Sequence, residues 1–193
     1  MFKRLLFIVL LAMLAIPSWA GTYPLGVGLH SGYDVPVIQD DVGAGAMWGI
    51  SVRGNIVSFL HGQLIVRGTS QSDVDEDLDL GSAGTETVTF AGGTLTGFGL
   101  NVLLAKKDPA NIWPYGMLGL SSNSLAPGES FKEDESNFGW TVGGGMGINL
   151  YNRQVYLDVN TGLLVMPIHD NNASRKNWQT MIGVQYFIPI KTK

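Results

Sequence analysis

Residues 138–150 separate bulky apolar side chains from glycines with the period of a β-strand. Their sequence is FGWTVGGGMGINL. Successive side chains of a strand point to opposite faces. One face therefore carries Phe138, Trp140, Val142, Met146, Ile148 and Leu150, while the other is mostly glycine and too small to fill a core. A strand whose apolar face meets lipid and whose small face meets a barrel interior satisfies both constraints.

The first twenty residues have the pattern of a secretory signal peptide. Lys3 and Arg4 precede an apolar run over 5–16, and Ser18 and Ala20 are the small residues expected at a cleavage site. The run is shorter than the roughly 20 residues that a helix needs to span a bilayer. We predict that residues 1–20 are removed and that 21–193 form one exported domain.

Charge is sorted along the chain. Of the 16 acidic residues, 14 fall in four segments, namely 34–46, 70–92, 121–137 and 167–176. Five basic residues fall in the other set of turns or at the end of the chain: Lys106, Lys107, Arg153, Lys191 and Lys193. Nucleic-acid binding requires a contiguous basic surface, so we expect no nucleic-acid partner. Cysteine is absent, so the exported domain must be stable without disulfides.

Alternating segments predict eight strands, at 22–33, 46–55, 60–70, 93–105, 112–121, 137–150, 155–166 and 177–188. The connections alternate between short turns (56–59, 106–111 and 151–154) and the four long acidic segments. The sequence therefore predicts an all-β fold, an eight-stranded antiparallel up-and-down transmembrane β-barrel. The fifth strand is bulky on both sides, and its pattern does not show which face is inside.

Aromatic residues lie near the predicted strand ends, where a transmembrane barrel has its interfacial girdles. They are Tyr33, Trp48, Phe59, Trp113, Tyr115, Phe138, Tyr151 and Trp178.

Two segments, GVGLHSGY at 26–33 and GVQYFI at 183–188, carry a family resemblance. With the architecture, they make residues 21–190 similar to the small eight-stranded outer-membrane barrels of Gram-negative bacteria, the group of OmpX and the OmpA transmembrane domain. Gly183, Tyr186 and Ile188 fit the spacing of that family's C-terminal assembly signal, whereas Met181 and the tail after Ile188 depart from it.

The resemblance implies the location and partners of the protein. We expect it in the outer membrane, with its long loops extracellular and its termini periplasmic. The expected partners are outer-membrane lipid and lipopolysaccharide, the barrel-assembly machinery during biogenesis, and an extracellular partner at the long loops. The resemblance implies no cofactor. The peptidoglycan-binding domain of OmpA-type proteins is missing, so that role is not transferred.

The predicted inward positions include a polar cluster of His30, Arg53, Arg67 and Asp158. Buried charges need partners. We therefore predict that both arginines pair with Asp158. We also predict that they are hydrogen-bonded by neighbouring polar side chains, namely Gln63, Asn101, Tyr156 and Gln185. The alternative is that the same groups line a conducting pore or a proton path.

The acidic segment 70–92 contains a partial calcium-loop pattern. Asp75, Asp77, Asp79 and Glu86 stand at positions one, three, five and twelve. Leu80 occupies position six, where such a loop needs glycine. A solvated external loop explains the run equally well.

The sequence gives little evidence of a catalytic set of residues, and we expect a protein that is not an enzyme. His169 with Ser174 is the best candidate pair of base and nucleophile. His30 and Ser31 are strand neighbours that point to opposite faces, and His61 lies at a short turn, away from surface lipid.

We therefore predict a structural or surface-interaction role, in adhesion or envelope integrity, with residues 85–92 extending strands beyond the membrane. The alternative is a narrow channel for small or apolar solutes. A soluble lipocalin-like carrier would need an apolar interior, which the glycine faces argue against. An enzyme that modifies acyl chains is a more distant alternative.

Overall fold

The fold was analysed in a computed structural model that describes residues 25–37, 43–57, 59–79, 84–106, 110–126, 135–167 and 174–188. The predicted signal peptide lies outside these residues. Within them, no helix is long and apolar enough to cross a membrane. The strands are β1 (Leu25–Pro36), β2 (Gly45–Val57), β3 (Leu60–Gln71), β4 (Val74–Asp79), β5 (Thr85–Phe90), β6 (Thr94–Ala105), β7 (Ile112–Ala126), β8 (Glu135–Tyr151), β9 (Val155–Pro167) and β10 (Ser174–Ile188).

Eight of these strands close into an antiparallel barrel. Its order is β1-β10-β9-β8-β7-β6-β3-β2, so each barrel strand pairs with the next one along the chain. The first and last strands close it through a continuous register from Leu25↔Ile188 to Pro36↔Asn177. The predicted eight-stranded up-and-down barrel is confirmed.

Several strands run further than the sequence predicted, among them β7 and β8. β7 ends at Ala126 and β8 begins at Glu135, and their pairing continues to Leu125↔Glu135. The prediction ended both strands where apolar alternation stops. Backbone pairing does not depend on that alternation, so the ladder continues into the acidic segment.

A separate hairpin, β4–β5, stands between β3 and β6 at the long-loop end of the barrel. Its register runs from Val74↔Phe90 to Asp79↔Thr85. At its base, Gly92 donates its backbone N–H to Asp73 Oδ1 at 2.7 Å, and Gln71 N–H donates to the Gly93 carbonyl at 2.8 Å. The predicted strand within residues 85–92 is observed over Thr85–Phe90, but in a two-stranded sheet separate from the barrel and not as an extension of the barrel strands.

Large apolar side chains cover the outside of the barrel. Phe138 is 78 % exposed, and Trp140, Val142 and Leu100 are also exposed. The interior instead holds polar side chains, glycines and a few apolar groups. The predicted orientation is confirmed, and it is the reverse of what a soluble carrier requires.

β7 resolves the face that the sequence left open. Trp113 and Tyr115 are 1 % and 6 % exposed, so their predicted place in the outer girdles is wrong. In the register, Trp113 pairs with Gly147 and Tyr115 with Gly145. The glycine face of β8 provides the volume that these aromatic rings fill. The other predicted girdle aromatics are exposed: Tyr33, Trp48, Phe59, Phe138, Tyr151 and Trp178.

The turn between β8 and β9 is tight and has positive φ at both central residues, 46° at Asn152 and 56° at Arg153. Gln154 N–H donates to the Tyr151 carbonyl at 2.9 Å. These features indicate a type I′ turn, whose twist matches that of a β-hairpin.

Candidate functional site

The lower half of the barrel interior, toward the short turns, contains an ion pair between Arg53 of β2 and Asp158 of β9. Two guanidinium nitrogens donate to the two carboxylate oxygens, each at 3.3 Å. The Tyr115 hydroxyl lies 3.0 and 3.1 Å from the same two oxygens. The guanidinium also lies over the Tyr115 ring, 4.7 Å from its centroid. Each charge is fully buried, and this set of contacts supplies the partners that burial requires.

Aromatic rings close the interior below this pair. Trp113 contacts His61 edge-on with centroids 4.9 Å apart, and Phe187 at 6.1 Å. Tyr156 packs against Phe187 at 5.5 Å. The Trp113 indole N–H donates to the Lys106 carbonyl at 3.0 Å. We call His61, Trp113, Tyr156 and Phe187 the aromatic plug; it fills the short-turn end.

The upper half of the interior holds Arg67 of β3 among neutral acceptors. Its guanidinium donates to Gln179 Oε1 at 2.7 Å, Ser121 Oγ at 3.3 Å and Asn123 Oδ1 at 3.5 Å. Arg67 also interacts electrostatically with the carboxylate of Asp34. Asp34 itself accepts a hydrogen bond from Asn177 at 2.7 Å.

His30 lies beside the ion pair. Its Nε2 lies 2.8 Å from Ser51 Oγ, and its Nδ1 lies 3.9 Å from Asp158 Oδ2. A serine, a histidine and an aspartate in this order resemble a nucleophile with its base and orienting acid. However, Ser51 is 1 % exposed and donates to Gln185 Oε1 at 3.2 Å. The set is packed into the barrel wall and has no space for a substrate, so we assign it a structural role.

Between the two charged layers the lumen has little free volume. A cavity of about 10 Å³ between the two charged layers is lined by residues that include Gln63, Arg67 and Asn160; this is room for about one water molecule. Above Arg67, Leu95, Leu125, Leu164 and Met166 form a buried apolar cluster. The interior is therefore a stack of layers: aromatic plug, Arg53–Asp158 pair, Arg67 layer and apolar cluster.

Comparison with known proteins identifies the family. Residues 6–186 match the model of the outer membrane protein beta-barrel domain. The chain belongs to this family. Its apolar outer wall is accordingly the lipid-facing surface of an outer-membrane barrel. No curated protein sequence matches the chain.

Several solved outer-membrane barrels share the fold. Neisserial surface protein A has a TM-score of 0.62 at 14 % identity, covering 88 % of this chain and 100 % of its own. OprG from Pseudomonas aeruginosa has a TM-score of 0.55 at 12 % identity, covering 88 % and 99 %. The N-terminal barrel domain of OprF from Pseudomonas aeruginosa has a TM-score of 0.51 at 12 % identity, covering 86 % and 99 %. At these identities the likeness extends to the fold alone.

The outer-membrane barrel brings the predicted polar cluster together only in part. His30, Arg53 and Asp158 are neighbours, but Arg67 does not pair with Asp158 and lies in the layer above. The four residues predicted to hydrogen-bond the arginines have other partners. Asn101 donates to Gln63 at 3.0 Å, Gln185 bonds Ser51, and Tyr156 belongs to the aromatic plug.

The interior residues that sequence reasoning missed include Asp34, Trp113 and Tyr115. Asp34 was assigned to an acidic loop, but it lies in β1 on the same face as His30 and is fully buried. Its position in the alternation was the available signal. Trp113 and Tyr115 were missed because Pro114, Leu118 and Leu120 make the other face of β7 equally bulky, so volume could not distinguish the two faces.

The residues with calcium-loop spacing lie in the β4–β5 hairpin of the outer-membrane barrel. Asp75 and Asp77 lie in a strand and accept hydrogen bonds from Thr89 and Thr87 at 2.7 and 2.6 Å. Glu86 pairs with Leu78 and so occupies the face opposite the one that Asp75 and Asp77 share in the register. An extended hairpin does not bring carboxylates together around one point as a loop does. Among the described residues, no group of three or more His, Cys, Asp or Glu is placed to hold a metal ion.

Of the predicted catalytic pair, His169 lies outside the described residues, and Ser174 begins β10.

Proposed function

We propose that this outer-membrane barrel has a surface-interaction role, with the β4–β5 hairpin as its docking element. The observation that carries the proposal is the contrast between a filled lumen and an ordered hairpin beyond the barrel rim. One structural neighbour is named a surface protein, and the proposal extends that location to this chain. The long-loop end would face the cell exterior, with the termini in the periplasm.

The hairpin offers two open strand edges. β4 and β5 pair only with each other among the described strands, so their outer backbone groups remain available. An extended peptide can add to such an edge through main-chain hydrogen bonds. Open edges also favour self-association, and charge on the edge strand opposes it.

Charge selects the partner. Asp73, Asp75 and Asp77 lie at the base and along β4, and Thr87 and Thr89 hold two of these carboxylates in place. Two acidic hairpins repel each other, whereas an extended segment rich in lysine and arginine is attracted. The expected partner is therefore a basic extended segment of an extracellular or host protein. Lipid, lipopolysaccharide and the assembly machinery are the partners expected for the barrel itself.

The test compares adhesion by cells that carry three forms of the protein. One has the native chain, one has residues 74–90 replaced by a short Gly-Ser linker, and one has Asp75→Asn with Asp77→Asn. The linker form should lose binding to a basic extended peptide on a surface, and the double variant should lose most of it. Binding by the linker form equal to that of the native chain would refute the docking role.

A deletion strain tests the broader role in the envelope. We expect reduced adhesion or reduced resistance to detergent and serum, restored by the native chain. Normal values for all three would contradict both branches of the proposal.

A further inference from the structure

The outer wall of the barrel has a groove lined by hydroxyl groups. The register aligns Gly68 with Thr96, Thr96 with Ser124, and Ser124 with Ser136 across β3, β6, β7 and β8. A volume of about 540 Å³ lies along this row, lined by Val66, Thr96, Gly97, Phe98, Ser122, Asn123, Ser124 and Ser136. We call this surface the hydroxyl groove.

A second hollow adjoins the groove at Thr96. Its volume is about 380 Å³, and its lining includes Ala46, Trp48, Gly68, Ser70 and Thr94. A Cβ built on Gly68 would lie 2.7 Å from the Trp48 ring, so glycine is what lets the indole lie against the strand. Trp48 thus forms an aromatic wall of the second hollow.

The groove lies at the border of the lipid-facing belt. The next row toward the short turns is apolar, with Ile50 paired to Val66 and Val66 to Phe98. Phe138 of β8 belongs to the same apolar row, because Phe98 pairs with Ser122 and Ser122 with Phe138. Gly68, Thr96, Ser124 and Ser136 form the row above it, and their small side chains leave the groove open.

The lining specifies the chemistry of an occupant. Four hydroxyl residues, Thr96, Ser122, Ser124 and Ser136, line the groove, and no charged residue is among the lining side chains that the structure describes. Thr96 Oγ1 donates to the Ser124 carbonyl at 3.4 Å, which leaves its lone pairs free to accept. Phosphate binding would call for arginine or lysine. Hydroxyls suit the sugar hydroxyls and the ester or amide carbonyls where acyl chains join a saccharide.

We propose that the hydroxyl groove binds the acylated-sugar neck of one glycolipid molecule. The acyl chains lie along Val66 and Phe98, continuous with the lipid-facing belt, and the sugar bonds to Thr96, Ser122 and Ser124. The inference goes beyond the docking role of the hairpin. It shares with that role the proposed orientation, which puts the long-loop end in the outer, glycolipid-bearing leaflet.

The test uses native mass spectrometry of the refolded full chain, released from mixed micelles that contain equal amounts of lipid A and phosphatidylethanolamine. The native chain should retain one lipid A molecule in preference to the phospholipid. Thr96→Val with Ser124→Ala should lower retention by roughly fivefold for each hydroxyl that bonds the lipid. Ser122→Leu should abolish retention by filling the groove; Leu118 and Leu120 already occupy outward positions of the same strand.

The matched control is Thr161→Val with Thr180→Val. These outward hydroxyls lie on the other side of the barrel and bond each other at 3.0 Å, and their loss should leave retention unchanged. Each variant is first shown to fold by its heat-shift on a gel. Equal retention of the phospholipid, retention unaffected by Ser122→Leu, or an equal loss in the control would overturn the proposal. The chain with residues 74–90 replaced should still retain lipid A, which separates this result from failure of the docking role.

Discussion

At the residue scale, the Arg53–Asp158 pair is the interaction on which the lower interior depends. Asp158→Asn removes the charge but keeps the shape, and Arg53 remains a buried cation beside a neutral amide. Breaking a buried pair by removing one partner costs about 3–5 kcal/mol. We expect the free energy of unfolding to fall by that amount, measured by urea titration of the barrel in lipid vesicles with the heat-shift gel as readout.

The control for this prediction is Arg53→Met with Asp158→Leu, which removes both charges together. Apolar replacement of a complete buried pair is often neutral or stabilising, so the double variant should recover most of the loss. An Asp158→Asn barrel that unfolds at the native urea concentration would show that the pair does not matter for stability.

The glycines of β8 permit a second prediction, because they make room for the rings of β7. A Cβ on Gly145 would contact the Tyr115 hydroxyl and the Val159 carbonyl. Gly145→Ala should therefore lower the free energy of unfolding by about 1–3 kcal/mol. Gly116→Ala is the matched control, because its Cβ would meet nothing closer than Leu104 Cβ at 4.0 Å. Equal unfolding midpoints for the two variants would contradict the volume argument.

At the scale of single elements, the turn between β8 and β9 carries removable strain. Arg153 has φ of 56°, a conformation that glycine adopts freely and other residues adopt at a cost. Arg153→Gly creates the Asn-Gly pair favoured in type I′ turns. It should raise the free energy of unfolding by roughly 1 kcal/mol, whereas Arg153→Ala should not. Urea titration of the two variants measures the difference, and a gain for alanine as large as that for glycine would count against the turn assignment.

The β4–β5 hairpin is predicted to be energetically separate from the barrel. β3 and β6 already pair as far as Ser70↔Thr94, and Gln71 bonds Gly93 at the base. Replacing residues 74–90 by a Gly-Ser linker should therefore leave the heat-shift and the urea midpoint of the barrel unchanged. A clear drop in the midpoint would mean that the hairpin contributes to barrel stability.

The elements that the sequence predicted well are those with unequal faces. The alternation of glycine and bulk in β8 and of polar and apolar residues in β1 and β9 assigns inside and outside without structural help. β7 could not be assigned, because Trp113 and Tyr115 alternate with Pro114 and Leu118, and size alone does not distinguish its faces. Trp113 and Tyr115 face the interior because they pair with glycines of β8, and this pairing is known only from the register of the two strands.

For the molecule as a whole, the interior layers act in series. The aromatic plug, the ion pair, the Arg67 layer and the apolar cluster each block the axis of the barrel. The members of the polar cluster were partly predictable, since alternate residues of a strand face the interior. The separation of Arg67 from Asp158 was not, because it depends on the height of each strand in the closed sheet.

This arrangement predicts that the barrel does not conduct ions. In planar bilayers the native chain should give no steady current at moderate voltage, because these layers block the axis and the cavity between the two charged layers holds only about 10 Å³. Trp113→Ala with Phe187→Ala opens the short-turn end alone and should also be silent, since Arg67 and the cluster around Leu164 still fill the upper half. Insertion is verified by the heat-shift of the same preparation. A steady current from the native chain would revive the channel hypothesis, and a current from the double variant alone would show that the aromatic plug is the sole barrier.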